Sequence, residues 1–259
     1  MRLGFIGTGA LTSAIVTGLK SVNDGNESIL VSPRNAGNAK RLAENFPNVA
    51  IAADNQAVLV GTDVVMLAVR PQDAAEVLAS LRFRPDHHVI SLMATITLDE
   101  VAQLVAPATE ISKALPMPMV AQRVAPTIIC PPDPVSEGIF GRLGKAIVVD
   151  NEDAFNALSV VTATFATYFS YLEMLSDWVA EKGVPETQAR EYVAGIYQAL
   201  TLAAQADPAN GFSELAQDYK TAGGINEQMV TELAAKGLFG VIAECLENVH
   251  KRLAGAKRA

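Results

Sequence analysis

Gly4-Phe5-Ile6-Gly7-Thr8-Gly9, almost at the first residue of the chain, is the stretch that decides the fold. Leu3, Phe5 and Ile6 predict a short buried strand. Gly7 and Gly9 turn the chain, and Ala10 to Leu19 reads as an amphipathic helix. A strand, a tight glycine turn and a helix N-terminus together form a dinucleotide cradle. Gly7 permits the turn, and Gly9 lets the backbone approach a pyrophosphate. The first N–H groups of the helix, at the positive end of its dipole, hold the phosphate charge. The third fingerprint position is Thr12 rather than Gly or Ala, so the flanking strand and helix supply the context that the glycines alone lack. Ile6, Gly7, Thr8, Gly9, Ala10 and Leu11 are the expected backbone of the site.

Outward from this loop, strand and helix alternate. Ile29-Leu30-Val31-Ser32 predicts a second strand and about 37–46 a helix. Val49-Ala50-Ile51 predicts a third strand, Asp63 to Val69 an apolar fourth, and His88 to Leu92 a fifth. Strands that are apolar without alternation belong to a parallel sheet covered on both faces. Right-handed crossovers then give an α/β, doubly wound Rossmann-type fold. The runs 110–113, 126–130 and 146–149 extend that sheet.

After Asp150-Asn151 the texture changes. Residues 153–182, 185–206 and 226–254 carry helical spacing, interrupted at Gly183-Val184-Pro185 and at 207–211. The expected organisation is a nucleotide-binding domain over 1–150 and an all-α substrate and dimerisation domain over 151–259. Apolar helical stretches such as 165–172 exceed what one small domain buries, which predicts a homodimer or higher homo-oligomer.

Composition bounds the rest. A chain of 259 residues fits two domains at about 150 residues each. Half the residues are apolar, which excludes a disordered chain. No apolar run reaches the ~18 residues of a membrane span. The first strand starts at Arg2, so no signal or transit peptide is expected and the cytoplasm is the expected location. Cys130 and Cys245 are far apart and read as reduced core residues. The net charge of −8 and the absence of a basic stripe argue against nucleic acid as a partner. Three histidines, His87, His88 and His250, without carboxylates at ligand spacing argue against a metal site.

The choice of coenzyme is written at the end of the second strand. NAD enzymes place an acidic residue there, about twenty residues beyond the glycines, for the ribose 2′-hydroxyl. This chain has Ser32-Pro33-Arg34-Asn35. An arginine with a hydroxyl and an amide beside it suits a 2′-phosphate, so NADP (NADPH) is the expected coenzyme.

These residues carry a resemblance. Gly4 to Gly9, Ala14-Ile15 and Gly18-Leu19 resemble the opening of the pyrroline-5-carboxylate reductases, as do Asn55 and Ala68-Val69-Arg70-Pro71-Gln72, which in that family is usually Ala-Val-Lys-Pro-Gln. Ser91-Leu92-Met93-Ala94-Thr95 is similar to the family's Ser-x-x-Ala-Gly, and Thr221-Ala222-Gly223-Gly224 to its Ser-Pro-Gly-Gly. The resemblance runs through nearly the whole length in the right order. It implies a two-domain reductase that binds NADPH across the strand ends, with the substrate between the second domains of a dimer. On the coenzyme side it points to Asn55, Ala68, Val69, Arg70, Pro71, Leu92, Met93 and Ala94. For a small imine substrate bearing a carboxylate it points to Gly223, Gly224, Ile225 and Asn226.

Departures fall in the substrate half. Where the family has Thr-Thr after Gly-Gly, this chain has Ile225-Asn226-Glu227. Leu115-Pro116-Met117-Pro118-Met119 stands for Met-Pro-Asn-Thr-Pro, and 162–167 for Ser-Gly-Ser-Gly-Pro-Ala. The chemistry itself asks little of the protein. A protonated cyclic imine is a strong hydride acceptor, and the protein must hold its carbon ~3–3.5 Å from the nicotinamide. No catalytic side chain is therefore singled out. Free N–H groups after Gly223-Gly224 suit a carboxylate, while Asn226-Glu227 also reads as a helix start with an acidic first turn.

Among other residues, Asp99-Glu100 and Glu244-Glu247 read as solvated helix faces and Tyr168 and Tyr171 as packing. Arg70 ends a strand on the coenzyme side, and Lys113 lies near Pro116 within reach of a substrate. A β-hydroxyacid dehydrogenase shares the expected fold, but it needs a lysine on the first long helix beside a glycine cluster. Residues 153–178 hold neither Lys nor Gly. A reductase of another imine or keto substrate, or a non-catalytic NADP-binding paralogue, is the remaining alternative, supported by Ile225, Met117 and Phe165.

Overall fold

The computed structural model describes residues 1–21 and 27–256, so 22–26 and 257–259, within the two expected domains, lie outside the described residues. The chain divides into two compact units. One covers Met1–Ser159 and takes up the chain again at Arg252, and the other covers Val160–Lys251.

The first unit is built on an eight-stranded sheet. Its strands are β1 (Arg2–Ile6), β2 (Ser28–Val31), β3 (Val49–Ile51), β4 (Val64–Leu67), β5 (His88–Ser91), β6 (Glu110–Leu115), β7 (Thr127–Cys130) and β8 (Ala146–Val148). Seven helices accompany them: α1 (Ala10–Lys20), α2 (Ala36–Asn45), α3 (Asn55–Gly61), α4 (Ala74–Ala79), α5 (Leu98–Val105), α6 (Pro134–Gly141) and α7 (Glu152–Val160). The strand order is β3-β2-β1-β4-β5-β6-β7-β8, with every pair from β3 to β6 parallel. The chain reverses its direction of travel across the sheet between β1 and β4, and the switch point of a doubly wound fold lies at their carboxyl ends.

Both faces of the sheet are covered, which explains the unalternating strands. Phe5 and Met66 point into one apolar cluster with Ile15 and Leu19 of α1. Their neighbours Ile6 and Leu67 point into the other, with Leu59 of α3 and Leu78 of α4. All four strand residues are fully buried. Gly18 lets α1 approach the short 3-10 turn Pro118–Gln122, because a Cβ there would overlap the Val120 carbonyl.

One part of the sheet departs from the parallel expectation. β7 runs antiparallel to β6, with Lys113 opposite Cys130, and β8 is again parallel to β7. The connection from β6 to β7 holds only that 3-10 turn and lacks the crossover helix that a parallel return needs.

The second unit is helical: α8 (Phe165–Glu181), α9 (Glu186–Ala206), α10 (Phe212–Asp218), α11 (Ile225–Ala235) and most of α12 (Leu238–Ala256). Within it α8 and α9 pack side by side, with the Tyr197 hydroxyl donating to that of Tyr171 at 2.9 Å. Ala189 and Val193 are buried there, whereas Phe169, Trp178, Tyr192 and Phe239 are each more than half exposed. Two expected long helices prove to be interrupted. The stretch 153–182 is α7, a 3-10 turn at Val161–Thr164 and α8. The stretch 226–254 is α11 and α12, separated where Gly237 takes φ +78° and its N–H donates to the Ala234 carbonyl.

Candidate functional site

The glycine loop closes the switch point. Gly7 has φ +100°, and a Cβ on it would overlap the Ala68 carbonyl at the end of β4, so only glycine serves there. Gly9 is the N-cap of α1, and a Cβ built on it would find open space. The first turn of α1 carries no acidic residue, so its own side chains do not oppose an anion at the dipole end and its unshared N–H groups.

Side chains brace this loop from behind. The Gly7 N–H donates to Ser32 Oγ at 2.9 Å, and the Thr8 hydroxyl donates to the Ser32 carbonyl at 2.6 Å. Thr12, at the irregular fingerprint position, is fully buried and donates its hydroxyl to the Gly7 carbonyl at 2.7 Å. The threonine thus ties helix to loop through a hydrogen bond where a glycine would only have allowed close packing. The Asn38 amide adds a bond to the Thr8 carbonyl at 3.2 Å.

A cleft of about 470 Å³ opens in front of the loop. Of the residues expected to hold a coenzyme, Gly7, Thr8, Gly9, Ser32, Arg34, Asn55, Ala68, Val69 and Arg70 line it. Ile6, Ala10, Leu11, Pro71, Leu92, Met93 and Ala94 lie outside its lining. Ile6, Leu92 and Met93 are buried, their side chains spent on the two cores. The Ala94 carbonyl accepts from Lys113 Nζ at 3.2 Å.

The 2′-phosphate cluster expected at Ser32-Pro33-Arg34-Asn35 is reduced to one cation. Ser32 is fully buried with its hydroxyl on Gly7 and Thr8, and Asn35 Oδ1 caps α2 by accepting from the Asn38 N–H. Arg34 remains, exposed, with Nη2 3.6 Å from Asp73 Oδ2. Asp73 and Val77 also line the cleft, and sequence reading missed both. They lie just beyond Ala68-Val69-Arg70-Pro71-Gln72, the stretch that carries the resemblance.

Lys113 does not present itself to a substrate. It is fully buried, pairs with Glu152 Oε1 at 2.7 Å and lies over the Phe155 ring at 4.8 Å. Glu152 also accepts from the Leu98 N–H at 3.3 Å, so this buried pair stitches the loop after β5 to the first turn of α7. His87 is buried, accepts from the Arg84 N–H and is held below its ordinary pKa by burial, hence neutral. His88 pairs with Asp133 at 2.8 Å. Among the described residues, no group of three or more His, Cys, Asp and Glu side chains is placed to hold a metal.

In the second unit, Gly223 takes φ +73° and Gly224 is the N-cap of α11. The Gly224 N–H donates to the Thr221 carbonyl at 2.8 Å, and the Gly223 N–H donates to Glu227 Oε2 at 2.8 Å. Glu227 therefore acts as the third-position carboxylate of a capping arrangement and lays its own negative charge on the turn. Asn226 is exposed and Ile225 is 83% exposed.

Comparison with known proteins gives a match on each part of the chain. The family model described as NADP oxidoreductase coenzyme F420-dependent matches residues 2–95, and the pyrroline-5-carboxylate reductase dimerisation model matches residues 152–255. Pyrroline-5-carboxylate reductase 2 of Bacillus subtilis is 24% identical over 99% of this chain and 95% of its own length. A pyrroline-5-carboxylate reductase structure from Coxiella burnetii superposes with TM-score 0.85 at 23% identity, covering 98% of this chain and 97% of that one. The NADP-bound pyrroline carboxylate reductase of Plasmodium falciparum gives 0.82 at 15%, covering 99% and 98%. With a glycine cradle at the switch point, one model on the nucleotide-binding part and another on the helical part, the chain carries the dimerisation domain of the pyrroline-5-carboxylate reductases and is similar to them along nearly its whole length.

Proposed function

We propose that the protein is an oxidoreductase that reduces the C=N bond of a cyclic imine with NADPH, 1-pyrroline-5-carboxylate to L-proline being the reaction. The observation that carries this reading is the cleft itself. A positive-φ glycine, a helix N-terminus with no acidic residue in its first turn and the exposed Arg34 meet there at the carboxyl ends of β1, β2 and β4. Gly7, Thr8 and Gly9 would hold the pyrophosphate of NADPH, Arg34 its 2′-phosphate, and Asn55 and Ala68 to Arg70 the far wall. Pro71 and Leu92 to Ala94 would border the site without lining the cleft. Bound NADPH supplies the hydride.

The residues do the orienting. Ser32 and Thr12 fix the loop from behind, and the buried Lys113–Glu152 pair holds the segment after β5. The relatives carry the name pyrroline-5-carboxylate reductase, and the one from Bacillus subtilis aligns along 99% of this chain. We assign coenzyme binding to the 1–150 domain and substrate binding and pairing to 151–259. The exposed Phe169, Trp178, Tyr192 and Phe239 give that second domain the apolar surface that a homodimer buries. Two free cysteines, one buried and one exposed, suit the reducing cytoplasm. Among the described residues, no helix is long and apolar enough to cross a membrane.

One observation favours a second reading. Glu227 already occupies the Gly223 N–H at the turn expected to anchor a substrate carboxylate. A different imine, or a paralogue that binds NADPH without turnover, fits that arrangement. NADPH oxidation by the purified protein with 1-pyrroline-5-carboxylate separates the two. Turnover establishes proline formation, and the Glu227→Gln variant then tests whether Gly223, Gly224, Ile225 and Asn226 anchor the carboxylate. Tight NADPH binding without turnover rejects that substrate.

A further inference from the structure

Asp73 ends the 3-10 turn Pro71–Asp73, its own N–H donating to the Arg70 carbonyl at 2.9 Å, and it stands immediately before α4. An aspartate at that N-cap position ordinarily accepts from its own helix. Here it makes no side-chain cap bond. Its carboxylate lies instead in the dinucleotide cleft, 3.6 Å from the Arg34 guanidinium, and it is the one acidic residue among those lining the cleft. The Arg34 side chain is 66% exposed, so it is free to swing, whereas Asp73 at 32% is set into the wall.

Two side chains with opposite coenzyme preferences thus face each other across one opening. A carboxylate at the ribose accepts its 2′-hydroxyl, while a guanidinium pairs with a 2′-phosphate. From this geometry we infer that Asp73 determines coenzyme preference by favouring the 2′-hydroxyl of NADH and opposing the 2′-phosphate of NADPH. The inference rests on the coenzyme reading proposed above. A 2′-phosphate that engages Arg34 must first draw it away from Asp73, and it then sits beside a fixed negative charge. Both effects act against NADPH alone. The acid comes from the segment after β4 rather than from the end of β2, so the two preferences are set by different parts of the chain. Val77, one helical turn beyond Asp73, lines the same wall.

The test is direct titration of the purified protein with NADPH and with NADH, in the absence of any imine. Wild-type, Asp73→Asn and Asp73→Ala are compared by coenzyme fluorescence. Asp73→Asn removes the charge and keeps an acceptor. It lowers the Kd for NADPH by about three- to fivefold, the scale of a partly exposed ion pair, and leaves NADH unchanged. Asp73→Ala gives the same gain with NADPH and weakens NADH by about threefold through the lost hydrogen bond. Preference for NADPH therefore rises in both variants. An unchanged ratio of the two Kd values overturns the inference, and so does weaker NADPH binding by Asp73→Asn, which would make Asp73 a prop for Arg34. Failure of the wild-type protein to bind either coenzyme overturns the coenzyme reading and this inference together. Binding of both with an unmoved ratio strikes the inference alone.

Discussion

Replacing Ser32 with alanine separates two roles that a serine at the end of β2 can have. As a phosphate ligand its hydroxyl would matter to NADPH and not to NADH. The structure puts it elsewhere: fully buried, accepting from the Gly7 N–H at 2.9 Å and sharing a 3.1 Å contact with the Thr8 hydroxyl. In Ser32→Ala the Thr8 hydroxyl keeps the Ser32 carbonyl at 2.6 Å, so the loss falls on the Gly7 N–H. A stranded, half-buried amide donor costs about 1–2 kcal/mol, since a fully buried one costs about 1–3. A protein of this size then melts about 2–8 °C lower. Gly7 is held at φ +100° by its surroundings, and the loop it anchors cradles the pyrophosphate that both coenzymes share. Ser32→Ala therefore weakens NADPH and NADH by the same factor, about tenfold for a loss of roughly 1.4 kcal/mol in loop order. Parallel coenzyme titrations with a thermal melt are the assay. Loss of NADPH binding with NADH untouched, at an unchanged melting temperature, refutes the reasoning and returns Ser32 to the 2′-phosphate.

Three further outcomes follow from other contacts. Lys113→Met leaves Glu152, a carboxylate only 22% exposed, without its 2.7 Å partner and destabilises by about 2 kcal/mol; the double variant with Glu152→Gln recovers most of that in denaturant titrations. Burial pushes the Asp133 carboxyl up, but bonds from His88, Ser136 and Ser112 outweigh it and hold the pKa below the ordinary carboxylate value. A depressed folded-state pKa adds stability above the unfolded value that is lost as pH falls below about 4, so Asp133→Asn lowers the melting temperature at neutral pH and flattens its fall in acid. Glu227→Gln removes the charge laid on the Gly223 N–H, costs about 0.5 kcal/mol at the α11 terminus and lowers the KM for 1-pyrroline-5-carboxylate by about two- to threefold; an unchanged KM places the carboxylate elsewhere.

What the amino-acid sequence reveals about this fold follows the length of the signals. Leu3 to Leu19 reads as strand, turn and helix because the apolar positions and the two glycines act locally, and the structure has each of them in place. The breaks at 183–185 and 207–211 fall between observed helices for the same reason. Helices α3, α4 and α10, of six or seven residues, are too short to show a period. The interruption at Gly237 did carry a signal, a glycine behind a lysine at a helix end, but the apolar spacing on both sides ran on as if continuous. In the site the divide is sharper. The backbone contribution of Gly7 is legible, because its positive φ and its close approach to Ala68 allow only glycine. Ser32 could not be assigned from sequence, since whether it faces the cleft or the core depends on where β2 ends. Asp73 could not be found either, because nothing local says that the turn after β4 returns to Arg34.

That divide bears on which half of the function tolerates change. The pyrophosphate cradle depends on a positive φ at Gly7, a helix start at Gly9 and close approach to the Ala68 carbonyl, all of them properties of the main chain. Such a site survives replacement of most surrounding side chains, including the exchange of a small third fingerprint residue for Thr12, provided the newcomer finds a partner as Thr12 does in the Gly7 carbonyl. The α11 turn also offers main-chain donors, yet one of them is taken by a side chain of the same turn. On the reading proposed above, a single carboxylate resets what the second domain accepts while the first continues to present a reduced coenzyme. Chemistry that needs only a hydride and an oriented C=N bond permits this, because no catalytic side chain has to move with the substrate.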